Sequence, residues 1–350
     1  MAISALDHPL LAGLLGDPDI DAWFTPEAEI AAMLRFEAAL ARAEGACGVI
    51  PEAAVTEIVG LINGFSPDMP ALAQASARDG LIVPALVSQL RAAVSEPHRT
   101  FLHFGSTSQD VIDTALVLRL GPCLDILEDR LGDILAALET FSAAHGAQPL
   151  MGRTRMQQAI AIRYADRLES WITPLREVLE DLAMVRTSAL RLQCGGAAGT
   201  LDKLGDAGHR VAAALGRELD LPVPARHWQT NRRGLISLTN WCAAVTAALG
   251  KIGLDVTLMT QNEIGELRVI SGGGSSAMPH KVNPINAEAL VTLSRFVAVQ
   301  SGGMQQAAVH EQERSGISWT LEWMLLPQIV AATGVAGLRA KALLGSITMP

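Results

Sequence analysis

The sequence contains few aromatic residues and few cysteines. Among 350 residues there are one Tyr and seven Phe, and aromatic residues make up 4% of the chain. That scarcity argues against a sandwich or barrel rich in aromatic and β-branched residues. The four cysteines, at 47, 123, 194 and 242, form no CxxC pair. They predict neither a disulfide framework nor a zinc cluster, and they fit a reducing compartment.

The chain also has no excess of positive charge. There are 36 acidic and 27 basic residues, giving a net charge of −9. A basic surface for nucleic acid or anionic lipid is therefore not expected. The first basic residue is Arg35, which does not fit the cationic start of a secretory signal. The longest uncharged run, Gly234–Gly250, falls short of the ~20 apolar residues of a membrane span and predicts a buried helix. We expect a cytoplasmic protein.

Proline is absent from long stretches in which apolar residues recur at steps of three and four. The proline-free intervals are 123–148, 175–221, 225–278 and 285–326. The clearest apolar series run through 124–141, 164–192 and 235–259. Such repeats are typical of long helices packed nearly parallel in a bundle. Pro174 lies inside the second series and is expected to kink that helix without ending it.

The first hundred residues show shorter helical patterns, at about 27–46, 51–63 and 71–94, separated by prolines. No stretch alternates with period two for long enough to predict a sheet. The sequence therefore predicts an all-α protein. We expect a small N-terminal helical domain at 1–100 and a long-helix bundle domain at 101–350.

Three polar segments interrupt the helical pattern. The first, HFGSTSQDVIDT at 103–114, places consecutive hydrogen-bonding side chains just before a helix. Two interpretations remain open: a helix N-cap, or an anion site at the helix N-terminus.

The second segment, GRTRMQQ at 152–158, is expected to open the second long helix. Arg153 and Arg155 would then stand at the positive end of the helix dipole, which is unfavourable for stability. Either the segment is a solvated turn, or these arginines bind an anion with bidentate geometry.

The third segment, SGGGSSAMPHKVNPIN at 271–286, combines a glycine-rich half with a proline-bounded half that carries Lys281 and Asn283. Ordering the glycine-rich residues costs about 1–2 kcal/mol each, which suits a lid that closes on a ligand. A plain linker would not need the polar second half. Two weaker signals lead elsewhere: Gly195–Gly199 is expected at a helix C-terminus, and His310-Glu311 lacks the second histidine of a zinc helix. No metal or cofactor is predicted.

Taken together, the segments GSSAMPHKVNP, HFGSTSQDVIDT and GRTRMQQA resemble the three signature regions of the fumarase/aspartase superfamily, in the same order. Within it, FEAALARAEGACGVIP at 36–51 and HEQERSGISWTLEW at 310–323 are most similar to the bacterial 3-carboxy-cis,cis-muconate cycloisomerases. This resemblance implies an all-α homotetramer on a 20-helix core, with each active site shared between chains. The superfamily's C-terminal domain is expected to be absent or very short.

The resemblance also implies site residues. Ser275 corresponds to the group that handles the proton, and Lys281 and Asn283 to those that stabilise the developing carboxylate charge. The positions implied for binding a small anionic tricarboxylate are His103, Thr107, Ser108, Gln109, Arg153, Arg155, Gln157, Ser276, Met278, His280 and Arg314. No cofactor is implied.

Arg155 departs from the pattern, because the superfamily's lyases have histidine there. An arginine, with a pKa above ~12, cannot act as a general acid near neutral pH. This favours lactone formation, in which the attacking substrate carboxylate is already ionised. Three alternatives stay open: a fumarate-releasing lyase such as adenylosuccinate lyase, a cycloisomerase acting on a sulfo-analogue, and a non-catalytic tetrameric relative.

Overall fold

A computed structural model of the chain describes residues 4–270, 272–274, 278 and 281–350, and this part is predominantly helical, confirming the all-α prediction. Its α-helices are α1 Ala12–Leu15, α2 Pro18–Asp21, α3 Pro26–Ala46, α4 Glu52–Ile62, α5 Met69–Asp79, α6 Val83–Ala93, α7 Ser108–His145, α8 Tyr164–Ala189, α9 Gly208–Leu219, α10 Arg233–Met259, α11 Ile285–Ala307 and α12 Gly316–Leu344. Its strands are β1 Pro149–Thr154, β2 Gln157–Arg163, β3 Arg268–Val269, β4 Gly273–Gly274, β5 Val282–Asn283 and β6 Ile347–Thr348. The strands pair as β1–β2, β3–β6 and β4–β5.

The long helices follow the predicted apolar series. Helix α10 begins two residues before the predicted start at Leu235, and its seam residues are buried. Helix α8 continues through Pro174, as expected. Helix α7 runs for 38 residues with Pro122 inside it, so this proline does not separate the N-terminal polar turn from the apolar series that follows.

Two predicted stretches are each divided into two helices. The pattern at 71–94 breaks at Gly80, which ends α5 in the left-handed region at φ +74°, and α6 restarts beside Pro84. Glycine adopts that conformation without steric cost, which the apolar periodicity alone does not reveal. The proline-free interval 285–326 breaks at 308–315, between α11 and α12.

Helices α10 and α11 pack antiparallel at close range. A Cβ at Gly253 would lie 2.4 Å from the Ala287 carbonyl oxygen, and one at Gly250 would lie 2.7 Å from Ser294 Cβ. Nearer the other end of α10, the Ser301 hydroxyl donates to the Thr239 carbonyl at 3.2 Å. The start of α11, which follows the third polar segment, therefore lies beside the end of α10.

By length and composition alone, α10 and α12 could cross a membrane, but half or more of each apolar window is buried inside the chain. That burial fits central bundle helices. The N-terminal helices α3, α4 and α6 form a second apolar cluster, to which α9 and the first turns of α7 also contribute. The division of the chain at residue 100 remains a prediction.

Candidate active site

The first polar segment is a helix cap built around Asp110. Thr107 is the N-cap of α7, and the buried Asp110 carboxylate accepts the backbone N–H of Thr107 at 3.2 Å. It also accepts the N–H groups of Gly195 and Gly196, each at 2.9 Å. Burial raises the pKa of Asp110 to about 7, although these three hydrogen bonds oppose the shift. The N-cap interpretation is therefore correct.

The predicted role of the glycines at 195–199 is wrong. Helix α8 ends at Ala189, and the amides of Gly195 and Gly196 bind the Asp110 carboxylate across the fold. Gly196 has φ +67°, which brings successive N–H groups towards one acceptor. The glycines thus fasten a loop to the start of α7.

Arg314 joins this cap and brings three predicted residues together. Its guanidinium donates to Gln109 Oε1 at 3.1 Å, to Thr107 Oγ1 at 3.0 Å and to the Ala197 carbonyl at 3.0 Å. Gln109 is fully buried, and its amide donates to the Gln229 carbonyl at 2.8 Å. Thr107 and Gln109 therefore hold the half-buried Arg314 at this helix start.

His103 lies beside the cap and is paired with a residue that sequence analysis missed. Its Nδ1 is 2.6 Å from Oε1 of Glu37, which is 1% exposed on α3. Burial lowers the pKa of His103, but the charge and hydrogen bond of Glu37 outweigh it, so the pKa is raised. His103 and Ser108 line a cavity of about 330 Å³ together with Arg91. The only sequence signal for Glu37 was an acid among the apolar residues of α3.

A buried ion cluster supports the same end of the bundle. Arg232 donates to Asp113 at 2.6 and 3.0 Å and to Glu322 at 2.6 and 2.8 Å. Trp319 Nε1 also donates to Asp113, at 3.1 Å. Burial lowers the pKa of Arg232, but the two carboxylates outweigh it and raise the pKa. The cluster ties α7, α10 and α12 together. Sequence analysis missed it, because each of its hydrogen-bonded pairs joins residues at least 90 positions apart.

The second polar segment does not open a helix. It lies in the antiparallel hairpin β1–β2, and α8 begins only at Tyr164. Arg155 and Met156 form the hairpin tip, with φ of +49° and +67°. The argument from the helix dipole was therefore wrong: Arg153 and Arg155 lie on a hairpin, and neither is in the first turn of α8. Gln157 is exposed at the start of β2.

The hairpin borders a cavity of about 170 Å³ with an excess of positive charge. Four cations, Arg153, Arg155, Arg167 and Lys251, line it with two carboxylates. Arg153 pairs with Glu266, and Lys251 pairs with Asp255. Within the described part of the chain, Arg155 and Arg167 have no acidic partner. The second interpretation of this segment, anion binding, thus has two available arginines.

The third polar segment is only partly described. Ser275, Ser276 and His280 lie outside the described residues, and of the glycine-rich half that was predicted to form a lid only 272–274 are described. Around them, β4 pairs with β5, so that Gly273 is opposite Asn283. Lys281 donates its backbone N–H to the Met278 carbonyl at 3.0 Å. Lys281 and Met278 are exposed, and Asn283 is half-buried.

The three segments do not converge within one chain. Arg232, beside the first segment, immediately precedes α10, whereas the hairpin cavity is lined by Met259, where α10 ends. At ~1.5 Å per residue, the 27 residues of α10 separate these ends by about 40 Å. The third segment is at the hairpin end, because the start of α11 contacts Gly253. Among the described residues, no group of three or more His, Cys, Asp or Glu side chains could hold a metal ion.

The described chain is thus a helical bundle with polar segments near both of its ends. The sequence profile of a lyase family matches residues 22–298. The chain is 36% identical over 334 residues to the 3-carboxy-cis,cis-muconate cycloisomerase of Bradyrhizobium diazoefficiens, covering 94% of this chain and 74% of the relative. It is 33% identical to the nitrosuccinate lyase of Streptomyces davaonensis, covering 99% of this chain and 76% of that one.

Among solved structures, the 3-carboxy-cis,cis-muconate lactonizing enzyme of Pseudomonas putida superposes with a TM-score of 0.92 at 33% identity, covering 98% of this chain and 78% of that one. The chain belongs to this lyase family, the fumarase/aspartase superfamily that its three segments resemble.

Proposed function

We propose that this chain is a cycloisomerase that converts 3-carboxy-cis,cis-muconate to 4-carboxymuconolactone, in the protocatechuate branch of the β-ketoadipate pathway. The similarity to proteins named as 3-carboxy-cis,cis-muconate cycloisomerase or lactonizing enzyme supports the assignment. Within the site, the observation that carries it is Arg155: an always-protonated arginine stands where a lyase needs a proton donor. Its lack of an acidic partner among the described residues leaves it available for a substrate carboxylate. We place the enzyme in the cytoplasm.

The proposed reaction starts when one terminal carboxylate of the substrate adds to the more distant double bond of the diene and closes a five-membered lactone ring. Negative charge then builds on the carboxylate at the far end of the diene, which becomes an aci-carboxylate. Lys281 and Asn283 stabilise that charge. Ser275 delivers a proton to carbon and so completes the lactone. Ring closure needs no general acid at Arg155, because the attacking carboxylate is ionised at neutral pH.

The binding groups are divided between the two ends of the bundle. Arg314, held by Thr107 and Gln109, offers a cation at one end, beside the pair of His103 and Glu37. Arg155 and Arg167 offer cations at the other. A cation 4 Å from a carboxylate is worth about 4 kcal/mol at an effective dielectric of 20, so these local charges outweigh the net charge of −9. Arg153, Gln157, Ser108, Ser276, Met278 and His280 complete the proposed binding set.

Because about 40 Å separates the ends within one chain, a complete site requires several copies. We propose a homotetramer in which each site takes its three segments from different chains. Mixed tetramers test this. Co-expressing an Arg314→Ala chain with a Lys281→Ala chain should restore activity that neither variant has alone. If the mixed tetramers stay inactive, each site is contained in one chain.

The function itself is tested by following the ultraviolet absorbance of the conjugated diene of 3-carboxymuconate, with a chelator present. Loss of absorbance with formation of the lactone, identified by NMR, is the expected result. Ser275→Ala and Lys281→Ala should each lose almost all turnover while the circular dichroism spectrum stays unchanged. Lys203→Ala, at an exposed lysine, is the matched control and should keep full activity. A Ser275→Ala protein with normal turnover would exclude the serine as proton donor.

The second candidate is a β-elimination lyase, which the similarity to a nitrosuccinate lyase favours. Incubation with adenylosuccinate and with nitrosuccinate distinguishes the two, because both eliminations release fumarate. Fumarate production without lactone formation from carboxymuconate would replace the cycloisomerase assignment. If all of these substrates are left unchanged, the chain is a non-catalytic relative. A sulfo-analogue of carboxymuconate, assayed in parallel, shows which tricarboxylate-like substrate is preferred.

A further inference from the structure

A cavity of about 340 Å³ lies between the N-terminal helices and the bundle. Its walls are mostly apolar, with Met33 from α3 and Leu116 from α7 among them. Ile112, which belongs to the first polar segment, and Glu322 of the buried ion cluster also line it. Arg119, which lines it too, lies further along α7: at ~1.5 Å per residue it is about 16 Å from the start of that helix. The cation that lines this cavity is therefore distinct from the cations of the candidate active site.

Arg119 is a buried cation without a carboxylate partner. The residue is 7% exposed, its Nε donates to the Ala115 carbonyl at 3.2 Å, and its Nη1 donates to the Trp23 carbonyl at 3.2 Å. Phe24 lies under the guanidinium, 5.7 Å from its central carbon. No described residue forms an ion pair with Arg119, and Nη2 has no protein acceptor there. The remaining N–H groups are therefore available to a ligand.

Two other buried arginines of this chain are each paired with carboxylates. Arg130 binds Asp17 with both terminal nitrogens, and Arg232 binds two carboxylates. Each buried charge is thereby paired, which offsets the cost of removing it from water. In Arg119 the same cost is met by two carbonyls, an aromatic face and the charge of Glu29, which forms no ion pair with it. Burial outweighs these contributions and lowers the pKa of Arg119. A bound anion would offset the remaining cost of burying this charge.

We propose that this cavity binds a small organic carboxylate with an apolar body, and that Arg119 pairs with its carboxylate. A carboxylate accepts two parallel hydrogen bonds from a guanidinium, and the surrounding apolar walls bury the rest of the molecule. Glu29 also lines the cavity but forms no ion pair with Arg119. Glu322 lines the cavity as well, but its charge is paired with Arg232. Glu29 weakens anion binding without preventing it, which favours a ligand with a single negative charge. The ligand class is therefore a monocarboxylate, aromatic or branched aliphatic, distinct from the tricarboxylate substrate.

Benzoate is the probe for this site, and benzamide is its uncharged counterpart of equal shape. Isothermal titration of the full-length assembled protein should show benzoate binding at least tenfold more tightly than benzamide, a difference of about 1.4 kcal/mol. Arg119→Met should abolish benzoate binding and leave kcat/KM for carboxymuconate unchanged. Glu29→Gln should tighten benzoate binding, because a like charge is removed. Arg314→Ala, which alters the candidate active site, should bind benzoate as the wild type does.

The stability of the unliganded protein gives a second readout. Arg119→Met should melt at a higher temperature than the wild type without benzoate, because an unpaired buried charge is removed. Benzoate should raise the melting temperature of the wild type only. The proposal is overturned if benzoate and benzamide bind equally, if neither binds at millimolar concentration, or if Arg119→Met retains benzoate affinity. Loss of benzoate binding in Arg314→Ala would place the benzoate in the active site and also overturn it.

Discussion

The two ends of the helical bundle treat positive charge in opposite ways. Where α7 begins, Arg232 and Arg314 are fixed by carboxylates, carbonyls and hydroxyls of the same chain. At the hairpin, Arg155 and Arg167 have no acidic partner in the described structure. The first end is therefore preorganised before substrate arrives. The second end has positive charge available, which suits a surface that another subunit and an anionic substrate complete.

The largest effect is expected from breaking the buried cluster. Arg232→Met leaves the carboxylates of Asp113 and Glu322 buried without a counter-charge. We expect the free energy of unfolding to fall by about 3–5 kcal/mol, measured by urea denaturation. Arg233→Met, at the exposed neighbouring position, is the matched control and should change it by less than ~0.5 kcal/mol. Equal effects of the two substitutions would show that the cluster does not stabilise this end.

Glu44 is the exception at the preorganised end, since this fully buried carboxyl has no hydrogen-bond partner. Burial, with a contribution from Glu37, raises its pKa from 4.5 to about 9. A raised folded-state pKa means that stability is fully present below pH 4.5 and is lost as pH rises towards 9. Glu44→Gln removes this loss. At pH 7 the variant should be more stable than the wild type by about 3 kcal/mol, and the difference should vanish near pH 4. A difference independent of pH would contradict this explanation.

At the hairpin, the expected effect is on substrate and not on folding. Arg155→Ala should raise KM for carboxymuconate about tenfold, because one cation–carboxylate contact is lost. Its unfolding free energy should change by less than ~0.5 kcal/mol, since the side chain is exposed and unpaired. Met156→Ala, the neighbour at the hairpin tip, serves as the control for local structure. If Arg155→Ala and Arg155→His leave both activity and affinity unaltered, Arg155 does not bind substrate.

The smallest effect concerns the pair of His103 and Glu37. Glu37→Gln keeps a hydrogen-bond acceptor but removes the charge that raises the pKa of His103. The raised pKa means that the charged histidine persists at higher pH in the wild type. In Glu37→Gln the limb of the pH–kcat/KM profile that reports His103 should move to lower pH, with activity at low pH retained. NMR titration of the histidines checks the assignment. An unmoved limb would limit Glu37 to a structural role.

Much of the fold could be predicted from periodicity, because the bundle helices bury one seam over many turns. Helix α10 illustrates this: its predicted and observed limits differ by two residues at the start. The hairpin could not be predicted in that way. Strand β2 is exposed along almost its whole length, so it carries no apolar alternation. The arginines of the hairpin were therefore assigned to a helix start, and their role in binding stays a prediction.

The candidate site likewise contains residues that could be predicted from the sequence and residues that could not. Thr107, Gln109 and Arg314 were selected by their resemblance to known segments, and the structure places them in contact. Glu37 and Arg232 were not selected, because their partners lie 66 and 119 residues away in the sequence. Contacts at that separation depend on the packed bundle, which a single sequence does not specify residue by residue.

The hydrogen bonds from the Gly195 and Gly196 amides to the Asp110 carboxylate affect how this fold can acquire new substrate specificities. Any substitution at Asp110 releases a buried loop, so selection acts there on folding as well as on turnover. Substitutions at the exposed hairpin tip are expected to affect turnover without affecting folding. A mutagenesis library aimed at altered substrate range should therefore randomise 155–157 and keep 107–113 constant.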